Sequence, residues 1–236
     1  MTFKKSICLV GSILATSTAF AAENNTEASS SKINLDVLGG IGYTHYDNIK
    51  DDDKDNSLST SGNGFNVNAS ALYSILETKI GSPVVGLGLN YGRTTGSENR
   101  NYYGENVDIN STFSTLAVVA NGGFKFTPAP KFAIFTLANL GYGVYNNYKA
   151  DLKDQSGNSA TINTSLKDHY LYGVSVIGTY EVVQNFSVGV GLTYNRHSFK
   201  IDNATIESEG QELTRKINST NSFNEYSANL TAAYSL

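Results

Sequence analysis

Three histidines are the first residues of this chain that could do chemistry: His45, His169 and His197. An imidazole beside a hydroxyl is the minimum apparatus for acyl transfer, and His197-Ser198 is the candidate pair. Neighbouring side chains on a strand point to opposite faces, however, so these two could not readily share a proton. All three histidines fall at the ends of apolar segments, and His45 and His169 read as ordinary rim residues. The run Asp47, Lys50, Asp51, Asp52, Asp53, Lys54, Asp55 offers carboxylates of the kind that hold Ca²⁺. It lacks the spaced ligands, the glycine and the closing glutamate of an EF-hand loop, and reads as a solvated loop tip. Asp36, Lys125 and Glu225 stand inside alternating segments, where an enclosed charge pair would specify register. Tyr102, Tyr103 and Tyr148 lie in polar stretches, and aromatics exposed there would anchor a binding partner. Phosphate-cradling glycine loops, Cys-x-x-Cys and His-Glu-x-x-His do not occur, so no cofactor and no metal are expected.

The elements that must position these residues follow from composition and periodicity. The chain has 236 residues, 40% hydrophobic and 16% charged, with 22 Gly, 3 Pro, 1 Cys, no Trp, 15 Tyr and 11 Phe. A net charge of −4 gives no footprint for nucleic acid. Residues 1–21 read as a secretory leader, with Lys4 and Lys5 before the apolar stretch Ile7 to Phe20 and an Ala19-Phe20-Ala21 cleavage site. Cleavage there removes Cys8, so the exported chain is expected to have no disulfide and must be held by a large sheet or by a membrane. Residues 22–32 are small and polar and read as a flexible tail.

From Ile33 to the last residue a period of two takes over. Phe65, Val67, Ala69, Ala71, Tyr73 and Ile75 alternate with Asn66, Asn68, Ser70, Leu72 and Ser74. Phe186 to Asn195 and Tyr226 to Leu236 repeat the pattern, as do segments at 33–46, 85–91, 113–126 and 170–180. Each is a strand with one apolar and one polar face. Residues 132–145 are apolar on both parities, which leaves their facing open. The connectors alternate between long (47–63, 94–110, 146–167, 197–220) and short (76–83, 127–131, 181–185). Long loops at one end of a sheet and short turns at the other are the asymmetry of an outer-membrane barrel.

Aromatic residues bracket the strands at both ends, as lipid–water boundaries favour. Tyr43, Phe65, Tyr91, Phe113, Tyr142, Tyr170, Tyr194 and Tyr226 lie beside the long loops. Tyr73, Phe124, Phe126, Phe132, Tyr180, Phe186 and Tyr234 lie beside the short turns. A secreted lipocalin-like fold or sandwich would have to bury these rings, and the Gly, Ser, Thr and Asn parity carries too few charges for a soluble exterior. In hydrocarbon an open sheet edge is costly, so first and last strands must pair. The fold expected is all-β: an eight-stranded antiparallel transmembrane β-barrel over 33–236. Its interior is wide enough for side chains only. Asp36 and Lys125 would then face the lumen near the turn end, with Glu225 near the loop end.

In these features the chain resembles the small eight-stranded outer-membrane barrels: OmpX, the barrel domain of OmpA and the Opa-like opacity proteins. In such families the last strand is an assembly signal ending in an aromatic residue. Tyr226, Leu230 and Tyr234 fit it, and Leu236 departs from it at the terminal position. The resemblance implies a monomeric protein of a Gram-negative outer membrane, delivered by periplasmic chaperones and the barrel-assembly machinery. Its partners would be outer-membrane lipid, lipopolysaccharide and host surface molecules. Its role would be structural or surface-interactive rather than enzymatic. A lipid A-modifying enzyme and a narrow channel are the alternatives.

Overall fold

The computed structural model describes residues 34–236 apart from 52–55, 58–60, 77, 79, 103–104 and 209–210. The leader, the tail, Tyr103 and Asp52 to Asp55 lie outside the described residues. Eight long strands form the wall: β1 (Leu35–Tyr46), β2 (Gly62–Ser74), β3 (Gly81–Tyr102), β4 (Glu105–Ala129), β5 (Phe132–Asp154), β6 (Ser159–Val183), β7 (Phe186–Ser208) and β8 (Gln211–Ser235). Each pairs antiparallel with the next, and β1 closes on β8 from Asp36↔Ser235 to Tyr46↔Glu225. The ring is an all-β antiparallel barrel, as the alternation requires.

Closure leaves the apolar parity outside. Val67, Leu87, Leu140, Val174, Leu192 and Leu230 are exposed, while their polar neighbours turn inward. Water would not tolerate so continuous an apolar surface, and hydrocarbon suits it. The short turns are tight: Lys131 and Asn185 take left-handed backbone at φ 68° and 67°, which lets β4–β5 and β6–β7 reverse within two residues.

The long connectors differ from the sequence reading. Residues 94–110, 146–167 and 197–220, read as loops, continue the strands as paired ribbons, for example Arg100↔Val107, Asp151↔Thr161 and Glu207↔Glu212. Above a membrane both faces of a ribbon meet water, so backbone pairing persists after the apolar alternation has ended. The first connector folds back instead. Lys50–Asp51 pairs with Asn56–Ser57 and with Asn221 and Ser222 of β8, and Ile49 drops into the barrel mouth.

The facing of 132–145 is settled by packing: Phe135 (1% exposed) and Leu137 (6%) point inward, Phe132 (37%) and Leu140 (67%) outward. A bulge then reverses the parity. The β4–β5 ladder steps from Leu116↔Tyr145 to Ala117↔Gly143, leaving Val144 unpaired. Beyond it the inward set is Asn146, Tyr148 and Ala150 rather than the odd-numbered residues.

Candidate functional site

The lumen is filled in three layers. At the turn end Leu38, Leu72, Val84, Phe135, Leu137 and Ala233 form an apolar plug. Beneath it Lys125 Nζ lies 2.8 Å from both carboxylate oxygens of Asp36, which also accepts from Ser235 Oγ at 2.6 Å. At mid-barrel asparagines prevail, and several sit on an inward glycine across the ladder. Asn229 pairs with Gly42, Asn195 with Gly173, and Asn68 with Gly40. A Cβ on Gly42 would meet Asn229 Oδ1 at 2.3 Å and Ala228 O at 2.0 Å, so only glycine fits. A cavity of about 60 Å³ remains, and the Oδ1 atoms of Asn66, Asn90, Asn195 and Asn229, all lining it, have no donor among the described residues. It is polar and large enough for a few waters.

The loop-end layer gathers the buried titratable groups. His169 on β6 and His197 on β7 are fully buried, and His169 Nε2 lies 2.8 Å from His197 Nδ1. His197 Nε2 is 3.1 Å from Glu225 Oε2 on β8. Glu225 Oε1 accepts from Ser227 Oγ at 3.0 Å, and Ser227 Oγ lies 2.9 Å from Thr44 Oγ1 of β1. At the other end His169 Nδ1 meets Asn146 Oδ1, which accepts from Thr115 Oγ1 at 2.7 Å. Asn146 Nδ2 donates to Gly143 O at 3.0 Å, which sets the amide with its oxygen toward the imidazole. The polar chain therefore runs from β5 through β6, β7 and β8 to β1.

Aromatic rings seal it. His197 stacks on Phe223 at 4.5 Å and 7°, and His169 meets Phe113 and Phe199 edge-on at 6.1 and 6.0 Å. Tyr46, Ile49 and Leu166 complete the cap.

Three sequence readings are corrected here. His169 is not a rim residue but the centre of this layer. Phe113 is not in the girdle but inside the lumen, 3% exposed. Parity carried both signals: with Tyr170 outward His169 must point inward, and the parity that turns Lys125 inward does the same for Phe113. His197-Ser198 is not a working pair, since His197 faces the lumen and engages Glu225 instead. Tyr148 is not an exposed anchor; the bulge at Val144 turns it inward, half-buried against the aromatic cap. Tyr102 ends β3 beside the hairpin tip. His45 stands at the rim, bonded to Asn63 Oδ1 at 2.8 Å. Tyr43, Tyr73, Phe132, Tyr180, Phe186, Tyr194, Tyr226 and Tyr234 are exposed on the outer face, and Tyr91 is half-exposed. Leu230 and Leu236 are exposed with them, and Leu236 N donates to Leu35 O at 2.9 Å across the closing seam.

No family model matches the chain, and no curated protein matches it significantly. Among solved structures it is similar to the outer membrane protease OmpT from Escherichia coli, at 11% identity over 90% of this chain and 99% of that one, TM-score 0.52. It is also similar to a major outer membrane protein from Thermus thermophilus (14% identity, 84% and 99% covered, TM-score 0.49). A third similar structure is Ail, the attachment invasion locus protein of Yersinia pestis, in complex with the heparin analogue sucrose octasulfate (12%, 84% and 99%, TM-score 0.37). At such identity the likeness defines the fold alone, and that fold is the outer-membrane β-barrel.

Proposed function

We propose that this chain is a non-enzymatic outer-membrane protein whose barrel is an anchor and whose paired ribbons form the working surface. The supporting observation is the division of the molecule: a lumen filled at three levels, and a folded wall rising past the loop-end aromatics on β3 to β8. A plugged interior leaves no path for solutes, and histidines sealed under phenylalanines have no room for a substrate. What remains to meet the outside is the ribbon surface, with Tyr102 and Tyr103 kept as candidate anchors from the sequence. Its partners in this reading are lipopolysaccharide and host surface molecules.

In the same reading residues 1–21 are removed on export and 22–32 form a periplasmic tail. Chaperones and the assembly machinery recognise the outward Tyr226, Leu230, Tyr234 and Leu236, and the protein is a monomer. The aromatic residues at the two ends of the strands sit at the membrane boundaries.

The test is attachment of bacteria carrying the protein, or lacking it, to epithelial cells and matrix proteins. Loss of attachment on deletion, reproduced by trimming residues 96–111, 151–161 or 202–216, supports the ribbon surface. Unchanged attachment together with altered lipid A mass spectra overturns the reading in favour of an enzyme, and single-channel currents overturn it in favour of a channel.

A further inference from the structure

The buried histidine chain has only one consistent arrangement of hydrogens. Asn146 Oδ1 is an acceptor, so His169 carries its hydrogen on Nδ1 and accepts on Nε2. His197 must then donate from Nδ1, with its Nε2 facing Glu225 Oε2 across 3.1 Å. At the contact between the two rings a further proton can enter only at His169 Nε2, where it would face the Nδ1 hydrogen of His197 across 2.8 Å. Donor against donor breaks that contact.

The wall is already interrupted at this place. The β5–β6 ladder passes from Tyr142↔Tyr170 to Asn147↔Ser165 with nothing paired between, and a cleft lined by Tyr142, Tyr145, Asn146, Leu166 and Asp168 lies over the break. Further irregularities fall at Leu116/Ala117, Thr164/Leu166 and Lys167/Tyr170, and Asp168 takes φ 47°. Side-chain bonds of Asn146, Thr115 and His169 thus hold the seam where the backbone ladder does not.

We propose that His169, His197 and Glu225 form an acid-sensitive latch that keeps the β5–β6 seam and the aromatic cap closed at neutral pH and releases both on acidification. Few other groups facing the trio can interfere. From β1 come Thr44 and Tyr46, from β4 Phe113 and Thr115, from β5 Asn146 and, against the cap, Tyr148, from β7 Asn195 and Phe199, and from β8 Phe223 and Ser227; the hydroxyls of Tyr46 and Tyr148 are the further titratable groups among these. The Lys200–Asp168 ion pair beside the seam is exposed.

The experiment is hydrogen exchange of the full protein in lipid vesicles, followed by mass spectrometry over residues 143–149 and 165–171 and corrected for intrinsic rates. Between about pH 7 and pH 2.5 the wild type is expected to lose protection in these segments by about tenfold or more. His169→Gln removes the second basic site and should abolish that change, whereas His45→Gln at the rim should preserve it. A flat wild-type profile, or an unaltered acid response in His169→Gln, overturns the latch. Should His169→Gln fail to assemble, nitrogen spectra of histidine-labelled wild type decide instead. Protonation of His169 with loss of seam protection sustains the proposal, and protonation with the seam still protected overturns it.

Discussion

Asp36 and Lys125 form a bidentate pair under an apolar plug, Asp36 almost wholly enclosed and Lys125 one-fifth exposed. Removing one partner strands the other, so Lys125→Met is expected to destabilise the barrel by about 3 kcal/mol or more, read from urea unfolding in micelles. Asp36→Asn combined with Lys125→Met should recover much of that loss. The glycines beneath the asparagines are equally constrained. Gly42→Ala forces a methyl onto Ala228 O and is expected to cost roughly 1–3 kcal/mol or to block assembly, measured by the fraction of heat-modifiable protein. The charge pair was legible in the sequence because charged residues are conspicuous in alternating segments. The Asn–Gly pairing was not, since it depends on which strands meet and in what register.

At the scale of elements, the bulge at Val144 decides which face of β5 points inward above the membrane. Deleting Val144 restores simple alternation, turning Tyr148 out of the cap and Ala150 outward with it. The expected outcome is loss of protection in the β5–β6 ribbon by hydrogen exchange, with the lower barrel unchanged. The tip of that ribbon is held by Asp154, which accepts from the side chain and backbone N–H of Asn158, each at 2.8 Å. The Asn158 side-chain bond holds the Asp154 carboxyl below its ordinary value of 3.8. A lowered carboxyl stabilises the fold above that ordinary value and ceases to do so as the pH falls through the lowered one. Tip amides at 155–158 should therefore loosen only in acid below that ordinary carboxyl value, and Asp154→Asn should remove that dependence.

For the whole molecule, closure of β1 on β8 forces every strand to present one face to lipid and one to a lumen too narrow to stay open. Hydrophobic plugs at both ends and an amide-lined middle follow from that geometry. Planar bilayers with the protein at neutral pH should show conductance near baseline. A stable open pore would mean that one of the two plugs is displaced in the membrane.

Read alone, the sequence determined the all-β class, the alternation, the short turns and the expectation of a closed ring, because a period of two and the hydrocarbon solvent leave few solutions. It also placed Asp36, Lys125 and Glu225 in the lumen. Tertiary structure alone decided three things. It set the facing of 132–145, where both parities are apolar and only packing chooses. It showed that the polar connectors stay paired, because water accepts either face of a ribbon and erases the pattern. And it brought His169, His197 and Glu225 together from three strands, because register and bulges, which no local spacing encodes, determine which side chains meet across a barrel.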